Sequence, residues 1–427
     1  MRKTFSLQII TPIILLILFS TTTLVNADIE NGEPPADISI IDMQQLLWHS
    51  QLDIKGYQDY FQTHYIIESF SMTQELSSTS LDPDNIYIII EDSLWDEIDQ
   101  TKITRYQQDI ESDGYSCTVW KMTGGNHLSL RNWIIDKENT LTTSGESLIG
   151  CILIGDIPAA WYEMDIQWKP EDDPKHEEFP IDLYYMDLDG YWEDTDEDGI
   201  YDEHLDNGGD MQPEIWVARI KADNLEGEES TLVENYLDKN HKFRSNLYNI
   251  DYRALVYVDD DWAPASSVKN EVAQAYQFPT LYDDGDTTKY EHYLDTLDNT
   301  WTWVHLMCHG SSDSHTFRVS DPLNPGSTKW DGTVFGRPTI KNRDPPALFY
   351  NLFVCSGARF TSDDYLGGWY IFAPENGLAA VGSTKTGSMG HFQDFYIPLG
   401  EAYTLGDAFL YWFQYHCESS TAWFYGM

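Results

Sequence analysis

Basic residues are scarce in this chain of 427 residues, which has 25 lysines and arginines against 71 aspartates and glutamates and a formal charge of −46. Such an excess of negative charge argues against nucleic acids and anionic membranes as partners, because both would be repelled. The excess favours cations, although a salt-adapted acidic surface would explain it equally well. The charge alone therefore indicates no substrate.

Cysteine is also sparse. The chain has five cysteines, too few and too scattered for a disulfide scaffold: Cys117, Cys151, Cys308, Cys355 and Cys417. An odd number leaves at least one thiol free or intermolecular. A free thiol in an exported protein is unusual unless it has a chemical role.

Long apolar runs are missing after the N-terminus, so we expect no membrane span in the mature chain. Residues 1–27 read as a secretory signal peptide, with Arg2 and Lys3 before the apolar core Ile9–Phe19 and a small-residue cleavage site at Val25–Ala27. A transmembrane anchor is the alternative, but the apolar core is short for one. The predicted location is secreted or cell surface.

Hydrophobic residues make up 41% of the chain, enough for a sizeable core. Strand-like runs alternate with helical ones, which predicts an α/β fold of two successive units with mostly parallel sheets flanked by helices. The predicted strands are Ile86–Ile90, Tyr115–Trp120, Leu148–Ile154, Ile215–Ile220, Ala254–Val258, Trp303–Cys308, Phe349–Val354 and Leu378–Gly382. The predicted helices are Leu94–Ile110, a stretch from Leu128, Thr231–Phe243, a stretch from about Pro264, and one ending at Leu294–Leu297.

This pattern divides the chain near residues 245–252. Residues 83–247 form the first subdomain and residues 248–427 the second. Residues 28–82 are an N-terminal extension that is either a pro-segment or an extra edge element.

A thiol and an imidazole each follow a predicted strand of the second unit. Cys355 precedes Ser356-Gly357, and His309 precedes Gly310. The carboxyl ends of parallel strands form the ligand crevice of open α/β sheets. An imidazole there can activate a thiol, and a glycine lets a backbone N–H approach an oxyanion. The 46-residue separation, with histidine first, is near the roughly 50 of caspases and opposite in order to papain-type enzymes. Either residue alone would more often be structural, since cysteine is commonly buried.

An acidic loop is the second strong signal. Asp194, Asp196 and Asp198 alternate before Gly199, and the Ile200 carbonyl and Asp202 complete a possible oxygen cage. This is the opening spacing of an EF-hand-type loop, but Leu205 replaces the usual final glutamate. The pattern predicts structural Ca²⁺ in a short aspartate-rich loop. An ordinary solvated acidic loop is the alternative.

The order of several segments resembles the gingipain family of cysteine peptidases, in the same broad clan as caspases. The resemblance runs from about residue 85 to the end. Its segments are "IGCILIGDIP" at 149–158, "DLYYMDLDG" at 182–190, "PEIWVARI" at 213–220, "WVHLMCHGSSDS" at 303–314, "PALFYNLFVCSGARF" at 346–360, the stretch Gly377–Lys385, and "PLGEAYTLGDAF" at 398–409. Two departures are Ala218 for a usual glycine and Val354 for a usual alanine.

The resemblance implies that His309 is the catalytic base, Cys355 the nucleophile, and the Gly310 and Cys355 backbone N–H groups the oxyanion hole. An acidic residue after the first strand of the catalytic unit would orient the histidine. Asp261 matches best by offset, while Asp259 and Asp260 stay open. The family continues with a further strand after the position of Met427, so the chain is expected to be a fragment lacking a core strand.

The sequence thus predicts a secreted, calcium-stabilised cysteine endopeptidase that acts on protein or peptide substrates through a thioester intermediate. One alternative is a surface-protein processing transpeptidase, which would use the same site. The other is a non-catalytic calcium-binding surface module on the same fold, which would have a disassembled His–Cys pair.

Overall fold

The computed structural model describes residues 54–64, 69–167, 173–249, 251–262, 265–416 and 425–427. The predicted signal peptide (residues 1–27), Pro264 and Cys417 lie outside these ranges.

The elements before residue 250 include nine strands and six helices within the described ranges. They are α1 (Tyr57–His64), β1 (Ser71–Leu76), β2 (Asp84–Glu91), α2 (Asp92–Glu97), α3 (Gln100–Ser112), β3 (Ser116–Thr123), α4 (His127–Ser144), β4 (Ser147–Ile154), β5 (Ala160–Ile166), β6 (Lys175–Ile181), α5 (Leu183–Met186), β7 (Tyr191–Glu193), β8 (Glu203–Leu205), β9 (Trp216–Ile220) and α6 (Glu229–Arg244).

The elements after residue 250 contain the second sheet and a long hairpin. They are β10 (Ala254–Val258), a 3₁₀ turn (Asp260–Trp262), α7 (Ser266–Val272), β11 (Thr280–Tyr282), α8 (Tyr290–Leu297), β12 (Trp301–Met307), β13 (His309–Gly310), β14 (Ser314–Ser320), β15 (Thr328–Phe335), a π-helical turn (Gly336–Ile340), α9 (Lys341–Arg343), β16 (Ala347–Phe353), α10 (Leu366–Phe372), β17 (Ala379–Gly382), α11 (Gln393–Gly400) and α12 (Leu405–His416).

The first sheet has the order β1-β3-β2-β4-β9. Strands β2, β3, β4 and β9 are parallel, whereas β1 pairs antiparallel with β3 at the edge. Six successive residues of β2, from Asn85 to Ile90, are buried, because helices cover both faces of a parallel sheet. The part of the N-terminal extension that contains β1 is therefore an edge element of this sheet.

The second sheet has the order β11-β10-β12-β16-β17, and all of its pairings are parallel. The chain moves outward from β10 to β11 and then returns to the other side of β10 with β12. In open α/β sheets such a reversal places the ligand-binding crevice at the carboxyl ends of the strands on either side of it, here β10 and β12. The predicted fold class, two α/β sheets with mostly parallel strands flanked by helices, is confirmed.

Three antiparallel hairpins, β5–β6, β7–β8 and β14–β15, were not predicted. Their strands carry many polar residues, as in "KHEEFPI" and "TKWDGTVF", so they lack the apolar runs of the sheet strands. The predicted helix 94–110 is two helices, since Ile98 ends the first in extended backbone. Asp99 then caps the second through a bond from the Thr101 N–H to its carboxylate.

The two sheets belong to one compact unit. Buried Lys239 on α6 joins them, because its ammonium group donates to the carbonyls of Ile371, Ala373 and Asn376 at 2.5–2.7 Å. Tyr236, one turn earlier, donates to the Leu378 carbonyl at 2.9 Å. None of the described helices is long and apolar enough to cross a membrane.

A buried ion pair fixes the loops at the carboxyl end of the first sheet. The Arg219 guanidinium binds both carboxylate oxygens of Asp182 at 2.7 and 2.8 Å. It also donates to the carbonyls of Ile157 and Pro158. The two side chains are only 6% and 16% exposed, so loss of one partner would leave the other charge buried.

We predict that Arg219→Met lowers the free energy of unfolding by about 3–5 kcal/mol, because it strands the Asp182 carboxylate and two carbonyls. The matched control is Arg343→Met. Arg343 binds Asp298 in the same two-pronged way at 2.7 Å, but these side chains are 27% and 56% exposed. The control should cost at most about 1 kcal/mol. Urea denaturation of both variants checks the prediction, and equal losses would contradict it.

Candidate active site

Parallel pairing of β12 with β16 brings the predicted histidine and cysteine to one edge of the second sheet. The register joins Met307 to Phe353, and His309 and Cys355 each lie two residues beyond that pair. The Cys308 N–H continues the ladder with a bond to the Phe353 carbonyl at 3.2 Å. Both residues therefore leave the same two adjacent strands at the same depth.

Cys355 begins a tight turn. The next residue, Ser356, has a φ of 55°, a left-handed conformation that is uncommon for a residue with a side chain. A bond from the Ser356 N–H to the Lys385 carbonyl at 2.8 Å holds the turn against the loop after β17. That loop also approaches the thiol, since the Gly387 N–H donates to Cys355 Sγ at 3.4 Å. Backbone strain of this kind is concentrated at functional sites.

Cys355 differs in environment from the other cysteines that the structure describes. Cys117, Cys151 and Cys308 are free but fully buried, whereas Cys355 is half-buried. Burial raises the pKa of Cys308 well above its ordinary value and that of Cys355 to about 11. Of these four cysteines, Cys355 is the least buried residue.

His309 is held by a carboxylate and by an indole ring. Its Nε2 lies 2.9 Å from Asp261 Oδ2, on the 3₁₀ turn that follows β10. The Trp262 ring stacks on the imidazole, with a centroid distance of 4.4 Å and an angle of 30°. Because Nε2 faces the Asp261 carboxylate, that hydrogen bond orients the imidazole ring.

The three aspartates after β10 have different surroundings. Asp259 Oδ2 is 3.9 Å from His309 Nε2, and it accepts the Arg318 N–H at 2.7 Å. Burial, aided by the neighbouring Asp261 charge, raises the pKa of Asp259 to about 8. Asp260 lies against Gly285 instead. Asp261 is thus the member of the three that hydrogen-bonds His309.

Gly310 is confined by its neighbours. A side chain there would place its first carbon 2.3 Å from Val354 and 2.6 Å from the Ser314 carbonyl. Glycine is therefore required for β13 to pass beside the turn that carries Cys355. This close approach keeps the Gly310 backbone beside Val354, the residue before Cys355.

Two charged residues near Cys355 were not identified from the sequence. Glu177, on β6 of the first half, accepts the Thr386 N–H at 2.9 Å, and its charge raises the pKa of Cys355. Lys385 is buried, donates to the Thr386 carbonyl at 2.8 Å, and lowers that pKa. Burial in turn lowers the pKa of Lys385 to about 8. Glu177 is remote from Cys355 in sequence, so no local motif could have predicted this contact.

The predicted calcium ligands of the acidic loop make two kinds of contact: some carboxylates accept hydrogen bonds from the loop backbone, and some lie close to other carboxylates. Asp194 accepts the N–H groups of Asp198 and Gly199, and Asp198 accepts that of Ile200, so these two carboxylates stabilise the loop backbone. Asp202 accepts the Thr195 N–H at 3.1 Å. Buried Ile200 anchors the loop in the core.

The second group includes a residue that the sequence did not suggest. Oxygens of Asp196, Asp202 and Glu163 all lie within 4.8 Å of one another. Glu163 is on β5, and its pKa is raised by burial and then by the charges of Asp198, Asp196 and Asp202. Three carboxylates at this spacing could serve as oxygen ligands to a hard divalent cation.

The site and fold define an α/β protein with a thiol, an imidazole and a carboxylate at one edge of a parallel sheet. No protein-family model and no curated protein sequence matches the chain. A solved structure described as "Structure of Protease" superposes with a TM-score of 0.49 at 15% sequence identity. The superposition covers 75% of this chain and 62% of the other. Similarity this distant assigns neither family nor activity, and the gingipain resemblance stays a prediction.

We predict opposite effects from removing the two charges beside Cys355. The Glu177 charge raises the pKa of Cys355, so Glu177→Gln should lower that pKa and speed alkylation by iodoacetamide severalfold near neutral pH. Lys385 lowers the pKa, so Lys385→Met should slow alkylation. The measurement is the alkylation rate of Cys355 between pH 6 and 10, with the modified residue identified by mass spectrometry. A change in the same direction in both variants would contradict an electrostatic effect.

Proposed function

We propose that this protein is a cysteine peptidase of the gingipain-like type, acting on peptide bonds outside the cell. The observation that carries the proposal is that His309 and Cys355 follow adjacent parallel strands at matching positions, with a 2.9 Å bond between His309 and Asp261. The signal-peptide pattern of residues 1–27 supports export. A non-catalytic module would have no need of an oriented imidazole on the strand next to a free cysteine.

The chemistry begins with proton transfer. Since the pKa of Cys355 is raised to about 11, its thiol does not ionise unaided at neutral pH. The His309 imidazole accepts the proton, and Asp261 stabilises the resulting imidazolium through Nε2. The sulfur attacks the peptide carbonyl carbon, and backbone N–H groups at Gly310 and Cys355 stabilise the oxyanion.

Collapse of the tetrahedral intermediate breaks the carbon–nitrogen bond, while His309 returns its proton to the leaving amine. The acyl group stays on Cys355 as a thioester. Water, deprotonated by His309, then releases the acid and restores the thiol. An amine in place of water would give transpeptidation from the same thioester.

We predict that a peptidyl acyloxymethyl ketone labels Cys355 and that Cys355→Ala abolishes both labelling and cleavage of a peptide library. Cys308→Ala should keep both, because Cys308 belongs to the buried core rather than to the crevice. His309→Ala should reduce the labelling rate by at least about 100-fold, the scale of general-base catalysis. Mass spectrometry gives the labelled residue, and circular dichroism verifies folding. Equal loss in the two cysteine variants would refute the assignment of Cys355 as the nucleophile.

Adding an amine acceptor to the cleavage reaction distinguishes hydrolysis from transpeptidation, because transpeptidation would join the acyl part of the peptide to that amine.

We also propose that Asp196, Asp202 and Glu163 bind calcium, with Asp194 and Asp198 shaping the loop. Clustered carboxylates repel one another, and a cation would relieve that repulsion. A ligand that binds the folded state alone stabilises it by about 2.7 kcal/mol when its concentration is 100 times the dissociation constant. The loop lies in the first half, so calcium should affect stability more than chemistry.

We predict that a chelator lowers the melting temperature of calcium-loaded protein and that Asp196→Asn with Glu163→Gln removes most of this dependence. Asp165→Asn is the matched control, since Asp165 is on the same β5 strand but 69% exposed and paired with His176. Magnesium should substitute poorly, because a flexible oxygen-rich loop suits the larger ion. Thermal melts with each ion check this prediction. A melting curve unchanged by chelation would mean that the loop is an ordinary solvated acidic loop that binds no calcium.

A further inference from the structure

The position of His309 defines one side of the substrate. In the proposed peptidase the imidazole protonates the amine that departs, so side chains that contact His309 lie near the residue after the scissile bond. This reasoning rests on the proposed function. It applies equally to transpeptidation, in which the incoming amine occupies the same side.

Two indole rings contact His309, and they differ in exposure. Trp262 stacks on the imidazole but is only 9% exposed, so it holds the imidazole in place and offers little surface to a substrate. Trp330, on β15, meets the imidazole edge-on, with a centroid distance of 5.0 Å and an angle of 66°. Its exposure is 36%, which makes it a large apolar surface open to solvent beside the catalytic histidine.

The hairpin β14–β15 fixes Trp330 relative to the catalytic groups. Arg318 is its cross-strand partner, with the guanidinium 5.9 Å from the centre of the indole ring. Arg318 is itself held, since its Nε donates to Thr328 Oγ1 at 2.7 Å and its Nη1 lies 3.7 Å from Asp261 Oδ2. The indole is therefore braced by a residue that also contacts the carboxylate of the catalytic set.

We propose that Trp330 contacts the substrate side chain that follows the scissile bond and gives the enzyme a preference for an apolar residue there, aromatic above all. An exposed indole offers a wide apolar face, and burying it against an apolar side chain is favourable. A glycine after the scissile bond has no side chain to cover the indole, so the ring face stays exposed to water. An aspartate at that position would place a charged carboxylate against an apolar ring face, which solvates the charge less well than water does.

The experiment uses peptide mixtures with randomised residues before the scissile bond and with Phe, Leu, Gly or Asp fixed after it. Wild-type protein should cleave the Phe and Leu mixtures about tenfold more efficiently than the Gly and Asp mixtures, as expected for one apolar contact. Trp330→Ala should bring the four mixtures to within about twofold of one another, and Trp330→Phe should retain most of the preference. The matched control is Leu323→Ala, since Leu323 is 86% exposed in the loop of the same hairpin and should keep the wild-type preference.

Labelling of Cys355 by an acyloxymethyl ketone supplies a second measurement, since that reagent has no amino acid beyond its reactive carbonyl. A preference that survives in Trp330→Ala, or is missing in the wild type, would overturn the proposal. So would a loss of labelling in Trp330→Ala that matches its loss of cleavage, because Trp330 would then act through His309. Wild-type protein that is neither labelled nor active would refute the peptidase itself, and this inference with it.

Discussion

The structure depends first on the parallel register of β12 and β16. Because Met307 pairs with Phe353, the residues that follow these strands emerge side by side, and one of them carries an imidazole and the other a thiol. A shift by one residue would turn every side chain of the strand to the other face. Buried apolar side chains along both strands make such a shift costly, so the hydrophobic core fixes the spacing of the reactive groups.

The first half of the chain supports the crevice of the second. Hairpin β5–β6 supplies Glu177 to the loop around Cys355, and Arg359 in the second half donates to the Glu178 carbonyl at 2.8 Å. Lys239 on α6 bonds to Ile371 on α10, and Tyr236 bonds to Leu378 just before β17, so α6 joins the two halves. The reactive groups are thus held by rigid elements from both halves, which is how a site keeps its geometry.

The charged residues around His309 and Cys355 are paired locally, although the chain as a whole has a large excess of acidic residues. The carboxyl groups of Asp259 and Asp261 lie beside one imidazole, and burial raises the pKa of Asp259. Glu177 and Lys385 oppose each other in their effects on Cys355. In an acidic chain, such local pairing rather than the net charge governs the ionisation of the reactive groups.

The sequence by itself determined the α/β class, the approximate bounds of the sheet strands, and the candidates His309 and Cys355, while the family resemblance added an acidic residue among Asp259, Asp260 and Asp261. The strands could be found because buried parallel strands are nearly continuous apolar runs, and the candidates because reactive residues follow strand ends. Only the tertiary structure decided which of the three aspartates bonds His309, which cysteine is least buried, and that Glu163, Glu177, Lys385 and Trp330 approach the candidate sites. Those contacts join residues far apart in the chain, and they arise from strand order and from polar hairpins whose pairing leaves no periodic apolar pattern.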